Sequence, residues 1–118
     1  NESWLRTASV GELPMLYSAG MRFDVIVSFS GIEHDGLGVY GDPMNPWADV
    51  AAMQEMWLLL KPGGLLLLGV PVGILDNVVL RAEVAGQRGV RFYGPVRLPR
   101  LLGSSFELVG RVWNGIVV

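Results

Sequence analysis

The chain has 118 residues, which is enough for one small domain and too few for two. Its residues are 51% hydrophobic and 17% charged, a balance that supports a packed core and excludes global disorder. The formal net charge of −2 is near neutral, and the absence of cysteine excludes disulfides, thiolate nucleophiles and cysteine–metal sites. A chain without cysteine suits a reducing compartment, so we expect a cytoplasmic location.

Charge is distributed unevenly along the chain. Between residues 23 and 60 every charged side chain is acidic, whereas between residues 81 and 100 five of the six charged side chains are arginines. This asymmetry either orients a polar ligand or reflects two solvated faces that partly neutralise each other. The longest apolar stretch is interrupted by Gly69, Pro71 and Gly73, and a spanning helix needs about 20 apolar residues. We therefore expect no membrane span.

The first regular elements indicate a parallel sheet. The opening stretch to Arg22 contains Gly11, Pro14 and Gly20 and predicts a loop with one short helical turn. Residues 23–28 (FDVIVS) form a short, apolar, β-branched run that predicts a buried strand. Because the run is continuous rather than alternating, it favours a parallel sheet covered on both faces.

A helix is predicted after a long polar segment. Residues 29–45 (FSGIEHDGLGVYGDPMN) form a glycine-rich stretch of a length that is often functional. Asn45 can cap the helix, Pro46 fits its first position and Asp49 complements the helix dipole. Four apolar residues recur at helical spacing and predict the face that packs on the core: Val50, Met53, Trp57 and Leu60.

A second strand is predicted after that helix. Residues 61–64 (KPGG) end the helix, and residues 65–70 (LLLLGV) read as a buried strand. Strand, helix and strand in this order form a βαβ unit with parallel strands and a right-handed crossover.

The last third of the chain carries weaker signals. Residues 76–85 are compatible with a helix, residues 87–95 with a loop and residues 97–102 with a short helix. Residues 106–113 (FELVGRVW) predict a third strand, and Asn114-Gly115 is a strong hairpin-turn signal before a return strand over residues 116–118.

Two motifs resemble a known fold family. The segment FDVIVSFSGIEH, the helix and LKPGGLLLLGVPVG resemble the fourth and fifth strands of class I S-adenosylmethionine-dependent methyltransferases. The phrases IEHDGLGVYGDPMNP and YGPVRLP are similar to domain-of-unknown-function family 268, a methyltransferase-like family, over about residues 23–107. The resemblance implies an α/β fold with a partial Rossmann-like sheet of parallel strands and a C-terminal β-hairpin, in one domain over residues 1–118.

The sequence departs from the methyltransferase pattern in its first part. No glycine-rich loop precedes the predicted strand at residue 23, and Gly11 alone cannot supply the backbone freedom that cofactor approach requires. The resemblance therefore implies that the first three strands are missing and that the natural protein has an N-terminal half. Without it, the strand over residues 23–28 would be an exposed apolar edge that needs that half or a partner chain. We expect S-adenosylmethionine to bind only with the missing half.

Two groups of residues follow the first predicted strand, at the end where open α/β sheets bind their ligands. The resemblance implies that Ser28, Phe29 and Ser30 lie near the methionine moiety of the cofactor; the alternative is a polar turn that satisfies its own backbone.

Glu33, His34 and Asp35 are the candidates for acid–base catalysis. His34 is the only histidine, and a neutral imidazole near pH 7 can accept the proton of a hydroxyl acceptor. The alternatives are a structural role, or a hard-cation site formed by the same residues with Asp42. The spacing matches no known metal motif, so we expect none.

The arginines near Tyr93 allow a further interpretation. Arg91, Arg97 and Arg100 could contact an anionic small molecule such as a sugar nucleotide. Five arginines among many apolar residues make nucleic-acid binding improbable. Two functions stay open: part of a methyltransferase acting on a small-molecule or sugar acceptor, and a non-catalytic methyltransferase-like module for binding or scaffolding.

Overall fold

The fold is given by a computed structural model, which describes residues 4–38, 41–83, 86–113 and 116–117. It is a mixed α/β arrangement with a parallel pair of strands, an antiparallel hairpin, a short C-terminal strand pair and a small core. The helices are α1 (Leu13–Ser18), α2 (Ala48–Leu59) and α3 (Arg97–Leu102), with 3₁₀ turns at Val10–Glu12 and Ile32–His34. The strands are β1 (Phe23–Phe29), β2 (Leu60–Gly69), β3 (Asn77–Glu83), β4 (Gly86–Phe92), β5 (Val112–Trp113) and β6 (Ile116–Val117).

The parallel pair predicted from the two apolar runs is confirmed. Strand β1 pairs with β2 in parallel, with Val25 opposite Leu65 and Phe29 opposite Gly69, and α2 connects the two strands. The KPGG segment does not precede β2 as predicted but lies inside it, where the register shifts. Lys61 there lies 3.4 Å from the Asp24 carboxylate, which ties the looped-out residues to β1.

Helix α2 begins and packs differently from the prediction. It starts at Ala48 rather than at Pro46, although the Asn45 side chain still accepts a hydrogen bond from the backbone N–H of Trp47 at 3.0 Å. The buried face is shifted by about one residue from the predicted stripe, so that Trp57 is exposed. The helix is apolar on nearly all sides, so periodicity alone could not select the face. The buried residues of α2 are Asp49, Ala52, Met53, Met56 and Leu59.

The core lies on one face of the parallel pair. Ile32, the inner face of α2, Tyr93 and Leu101 form a buried cluster, and Ile26 and Leu66 pack against it. The opposite face of β1 and β2 is bare among the described residues, in contrast to the predicted cover on both faces. Its exposed apolar side chains are Val25, Val27, Phe29, Leu65 and Leu67.

The segment after β2 corrects two predictions. Residues 77–83 form strand β3 rather than a helix, and residues 86–92 form strand β4 rather than a loop. The two strands pair antiparallel from Asn77–Phe92 to Glu83–Gly86. β-Branched Val78 and Val79 favour a strand, and the hydrogen bonds to β4 stabilise the extended conformation where local propensity is weak. Ala85, the last residue of the predicted helix, lies outside the described residues.

The C-terminal prediction holds in part. Helix α3 spans the predicted residues 97–102, whereas the predicted strand over residues 106–113 is reduced to β5. Strand β5 pairs antiparallel with β6, as expected for a hairpin, and the predicted Asn114-Gly115 turn lies outside the described residues. Within the described part of the chain, no helix has the length and apolarity needed to cross a membrane.

Candidate functional site

The candidate site is built on the segment that leaves the carboxyl end of β1. Ser30 has a φ of +51°, which is unusual for a residue other than glycine, and its N–H donates to the Gly69 carbonyl at 2.9 Å. The chain then turns into the 3₁₀ helix Ile32–His34. Gly36 is held from both sides: its N–H donates to Asp42 Oδ2 at 2.5 Å, and its carbonyl accepts from Asn45 N–H at 2.8 Å. The predicted long loop is therefore an ordered, hydrogen-bonded segment where it is described.

Arg91 of β4 binds the backbone of this segment. Its side chain is 1% exposed. Nη1 donates to the carbonyl of Asp35 at 2.6 Å and lies 3.5 Å from the carbonyls of Ile32 and Glu33, while Nη2 donates to the carbonyl of Asn45 at 3.2 Å. One guanidinium thus fixes four backbone carbonyls, a task that needs its several donors in a rigid plane.

A second buried centre is formed by Asp49 of α2. This carboxylate accepts hydrogen bonds from Tyr93 Oη at 2.9 Å and from Arg97 Nη2 at 2.7 Å, and Arg91 Nε lies 3.7 Å away. Burial of the Tyr93 phenol, together with the negative Asp49 beside it, raises the tyrosine pKa well above its usual range. Tyr93 therefore stays a neutral donor, and Asp49 links α2 to β4 and α3.

Arg97 is positioned by a third carboxylate. Asp76 accepts hydrogen bonds from the backbone N–H groups of Gly94, Val96 and Arg97 at 2.7–3.0 Å. Partial desolvation raises the pKa of Asp76, but these hydrogen bonds outweigh it, so that its pKa is lowered. The Arg97 guanidinium also donates to the Pro46 carbonyl and lies 5.2 Å from the centre of a Trp47 ring.

The structure brings the three predicted acid–base residues into one turn. Glu33 and Asp35 are 1% and 7% exposed, whereas the His34 side chain is 27% exposed. His34 Nδ1 lies 2.6 Å from the Gly89 carbonyl. Because a carbonyl only accepts, Nδ1 carries the hydrogen and the lone pair of the neutral ring lies on Nε2. Nε2 in turn lies 3.7 Å from Glu33 Oε1.

The surroundings of Asp35 disfavour the ionised form of its carboxyl group. Burial raises its pKa to about 6, and the nearby negative charges of Asp42, Asp49 and Glu33 add to the increase, while Arg91 opposes it. Asp35 Oδ2 and Glu33 Oε2 are both buried and accept no hydrogen bond. The turn thus contains carboxylate oxygens that the described residues leave without a donor.

The three residues predicted to contact a cofactor lie just before this turn. Ser28 is half-buried in β1, and Phe29 is 81% exposed with its ring over Gly69, where a side chain would collide with it. Ser30 is exposed at the end of the strand. Gly31 and Ile32 join the two groups of residues, so both groups follow one another at the carboxyl end of β1.

The arginines are arranged differently from the prediction. The guanidinium groups of Arg91 and Arg97 bind backbone carbonyls and Asp49 inside the protein. The buried Arg91 therefore does not face an anion in the solvent. Arg100 is exposed and lines a shallow cavity of about 180 Å³ between α2 and α3. Within the described ranges, no three histidine, aspartate or glutamate side chains are grouped so that they could hold a metal ion.

Sequence reasoning missed the roles of Asp49, Arg91 and Tyr93 in positioning the site. The sequence predicts for Asp49 only a role at the helix dipole, and its full burial follows from its pairing with Tyr93 and Arg97. Arg91 carries a signal of a buried charge, because it lies between Val90 and Phe92. The partners themselves are 44 to 59 residues apart, and no local pattern connects them.

Comparison with protein families matches most of the chain to a family model. A family model described as Caenorhabditis protein of unknown function, DUF268, matches residues 12–115. Comparisons with curated proteins and with solved structures gave no match.

Proposed function

The chain belongs to the DUF268 family of Caenorhabditis proteins of unknown function, and from this premise we propose that it forms part of an S-adenosylmethionine-dependent methyltransferase acting on a small-molecule or sugar acceptor. The observation that carries the proposal is the position of the Glu33–His34–Asp35 turn. It leaves the carboxyl end of a strand that pairs in parallel with the next strand across a helix. In open α/β sheets this end of the strands binds the ligand.

A Rossmann-like relationship is part of the same proposal. Its support is the Phe23-Asp24 entry to β1, the Leu60–Gly64 segment at β2 and the parallel register between the two strands. Gly63 has a φ of +79°, and a side chain at Gly64 would press on the carbonyl of Asp24. Gly63 thus allows the turn before the paired part of β2, and Gly64 allows the close approach of that segment to β1.

In this proposal His34 removes the proton of the acceptor. The hydrogen bond from Nδ1 to Gly89 leaves Nε2 as the basic atom, and the partly exposed ring can reach a hydroxyl at the site entrance. Glu33, 3.7 Å from Nε2, stabilises the imidazolium that forms. Arg91 keeps the turn in place through its backbone carbonyls, which orients both side chains.

Ser28, Phe29 and Ser30 are proposed to contact the methyl donor, which supplies an electrophilic methyl group when bound. The Ser30 backbone, with its positive φ, turns the chain at the end of β1. The exposed Phe29 ring offers an apolar surface, and the acidic turn beside it suits a positively charged donor.

The test is the turnover of a His34→Gln variant of this protein. We expect methyl transfer to fall by about 10²–10⁴-fold, because a positioned general base contributes that much. Affinity for S-adenosylmethionine, measured by calorimetry, should change by less than about threefold, because His34 is not among the proposed donor contacts.

Glu107→Gln, at an exposed position after α3, is the matched control and should leave both quantities unchanged. Unchanged turnover in the His34 variant would remove this residue from the mechanism. A natural protein that shows no binding of the methyl donor would end the methyltransferase proposal.

The bare face of β1 and β2 favours a second candidate, a non-catalytic binding or scaffolding module. Five exposed apolar side chains on one sheet face are typical of a surface that contacts another polypeptide. The donor titration separates the candidates, since a scaffolding module has no need to bind S-adenosylmethionine.

A further inference from the structure

The starting observation is a pair of buried carboxylates without hydrogen-bond donors. Glu33 Oε2 and Asp35 Oδ2 are inaccessible to solvent and accept no hydrogen bond from the described residues, and the two residues are only 1% and 7% exposed. Leaving an ionised carboxylate buried and unpaired costs several kcal/mol. The two groups also repel each other, since the charge of Glu33 contributes to the raised pKa of Asp35.

The cations whose side chains the structure describes near this turn bind other groups. The Arg91 donors point to backbone carbonyls of residues 32, 33, 35 and 45, and its Nε faces Asp49. Arg97 is also paired with Asp49. The His34 ring faces Oε1 of Glu33, the other oxygen of that carboxylate. Among the side chains that the structure describes, none is therefore left to donate to Glu33 Oε2 or Asp35 Oδ2, and a group from outside the chain would satisfy both.

We propose that Glu33 and Asp35 form a binding site for the primary ammonium group of a small organic ligand. An ammonium brings one positive charge and three N–H donors, so it can satisfy both orphaned oxygens with charge-assisted hydrogen bonds. A metal ion fits less well, because the described residues supply no group of three ligands.

The binding site depends on the ionised state of Asp35. Around this carboxyl lie Asp42 from the same loop, Asp49 from α2, Glu33 from the same turn and Arg91 from β4. His34 lies beside Glu33. Because the pKa of Asp35 is about 6 without ligand, about nine-tenths of this group is protonated at pH 5 and only a few per cent at pH 7.5.

The test is calorimetric titration of the full 118-residue chain with 1,4-diaminobutane. The matched neutral probe is 1,4-butanediol, and sodium chloride at equal ionic strength controls for screening. We expect saturable binding of the diamine at pH 7.5, no binding of the diol, and an affinity about tenfold lower at pH 5 because Asp35 is then mostly neutral.

Glu33→Gln and Asp35→Asn should each weaken binding at least about tenfold, whereas Asp24→Asn, at an exposed carboxylate of β1, should have no effect. The pH comparison on the unmodified chain stands even if a variant fails to fold. Three results would overturn the proposal. They are equal binding heats for the diamine and the diol, a sodium chloride titration that reproduces the diamine signal, and full affinity for the diamine in both variants. The titration contains no methyl donor, so its result is separate from the test of methyl transfer.

Discussion

Single residues decide how charge is accommodated inside this small protein. Arg91 and Asp49 are both almost fully buried, and each serves several partners at once. Removing one member of such a pair leaves the other charge buried and unpaired, which costs about 3–5 kcal/mol. Part of the uneven charge of the sequence is thus neutralised internally, where Arg91 and Arg97 of the basic segment meet Asp49 of the acidic one.

Asp35 is the residue whose charge the fold tolerates least. Its folded pKa is raised from 3.8 to about 6, so the folded state favours the protonated form. The resulting stabilisation is fully present below the unfolded pKa of about 4 and is lost as pH rises through about 6. We therefore expect the unmodified chain to lose about 1–3 kcal/mol of unfolding free energy between pH 4.5 and 7.5 from this group.

Asp35→Asn should remove that loss, because the amide has no charge to desolvate. Urea unfolding at pH 7.5 should show a more stable variant, with a smaller difference at pH 4.5. If Asp35→Asn changed the unfolding free energy equally at both pH values, packing rather than ionisation would be responsible. Glu107→Gln, at an exposed carboxyl, serves as the comparison.

At the scale of the elements, the segment between β1 and α2 is held by close backbone approach. Gly36 has a φ of +74°, and a side chain there would collide with the carbonyl of Asn45 and the methyl group of Ala48. Gly63 has a similar φ of +79° but faces open space. The two glycines therefore share a backbone requirement and differ in their surroundings.

Gly36→Ala and Gly63→Ala form a matched pair of variants. The positive φ should cost about 1 kcal/mol of unfolding free energy at either position. The collision at Gly36 should add at least about 2 kcal/mol, since the loop must move away from the start of α2. Thermal or urea unfolding measures both, and equal costs would contradict the close contact between the loop and the helix.

On the scale of the whole molecule, the parallel pair is covered on one face only. Ile26 and Leu66 point toward α2 and the core, whereas Val25, Val27 and Leu67 lie on the bare face. Within the described residues, β1 pairs with β2 alone. An apolar face beside an unpaired strand edge is a site of contact or of aggregation.

The alternation along β1 predicts opposite outcomes for neighbouring residues. Val27→Lys should change the unfolding free energy by less than about 0.5 kcal/mol, because its side chain is exposed. Ile26→Lys should cost about 3 kcal/mol or more, since it places a charge against the core. Urea unfolding gives both values, and light scattering should show less aggregation for Val27→Lys. Equal destabilisation would mean that both faces are covered.

The sequence by itself determined the parallel pair and its helical connection. Continuous apolar runs at residues 23–28 and 65–70 indicate buried strands, and the capped apolar segment between them indicates a helix, because these signals arise from neighbouring residues. The short helix at 97–102 was predicted in the same way. The position of Glu33, His34 and Asp35 at the strand end followed from chain order alone.

Only the tertiary structure decided the β3–β4 hairpin, the buried face of α2 and the network around the site. Local propensity was ambiguous for residues 77–92, and pairing between Asn77 and Phe92 resolved it. Asp49 meets Tyr93, and Arg91 meets the carbonyl of Asp35, across 44 and 56 residues. Such contacts depend on how the elements pack in space, so no short sequence pattern encodes them.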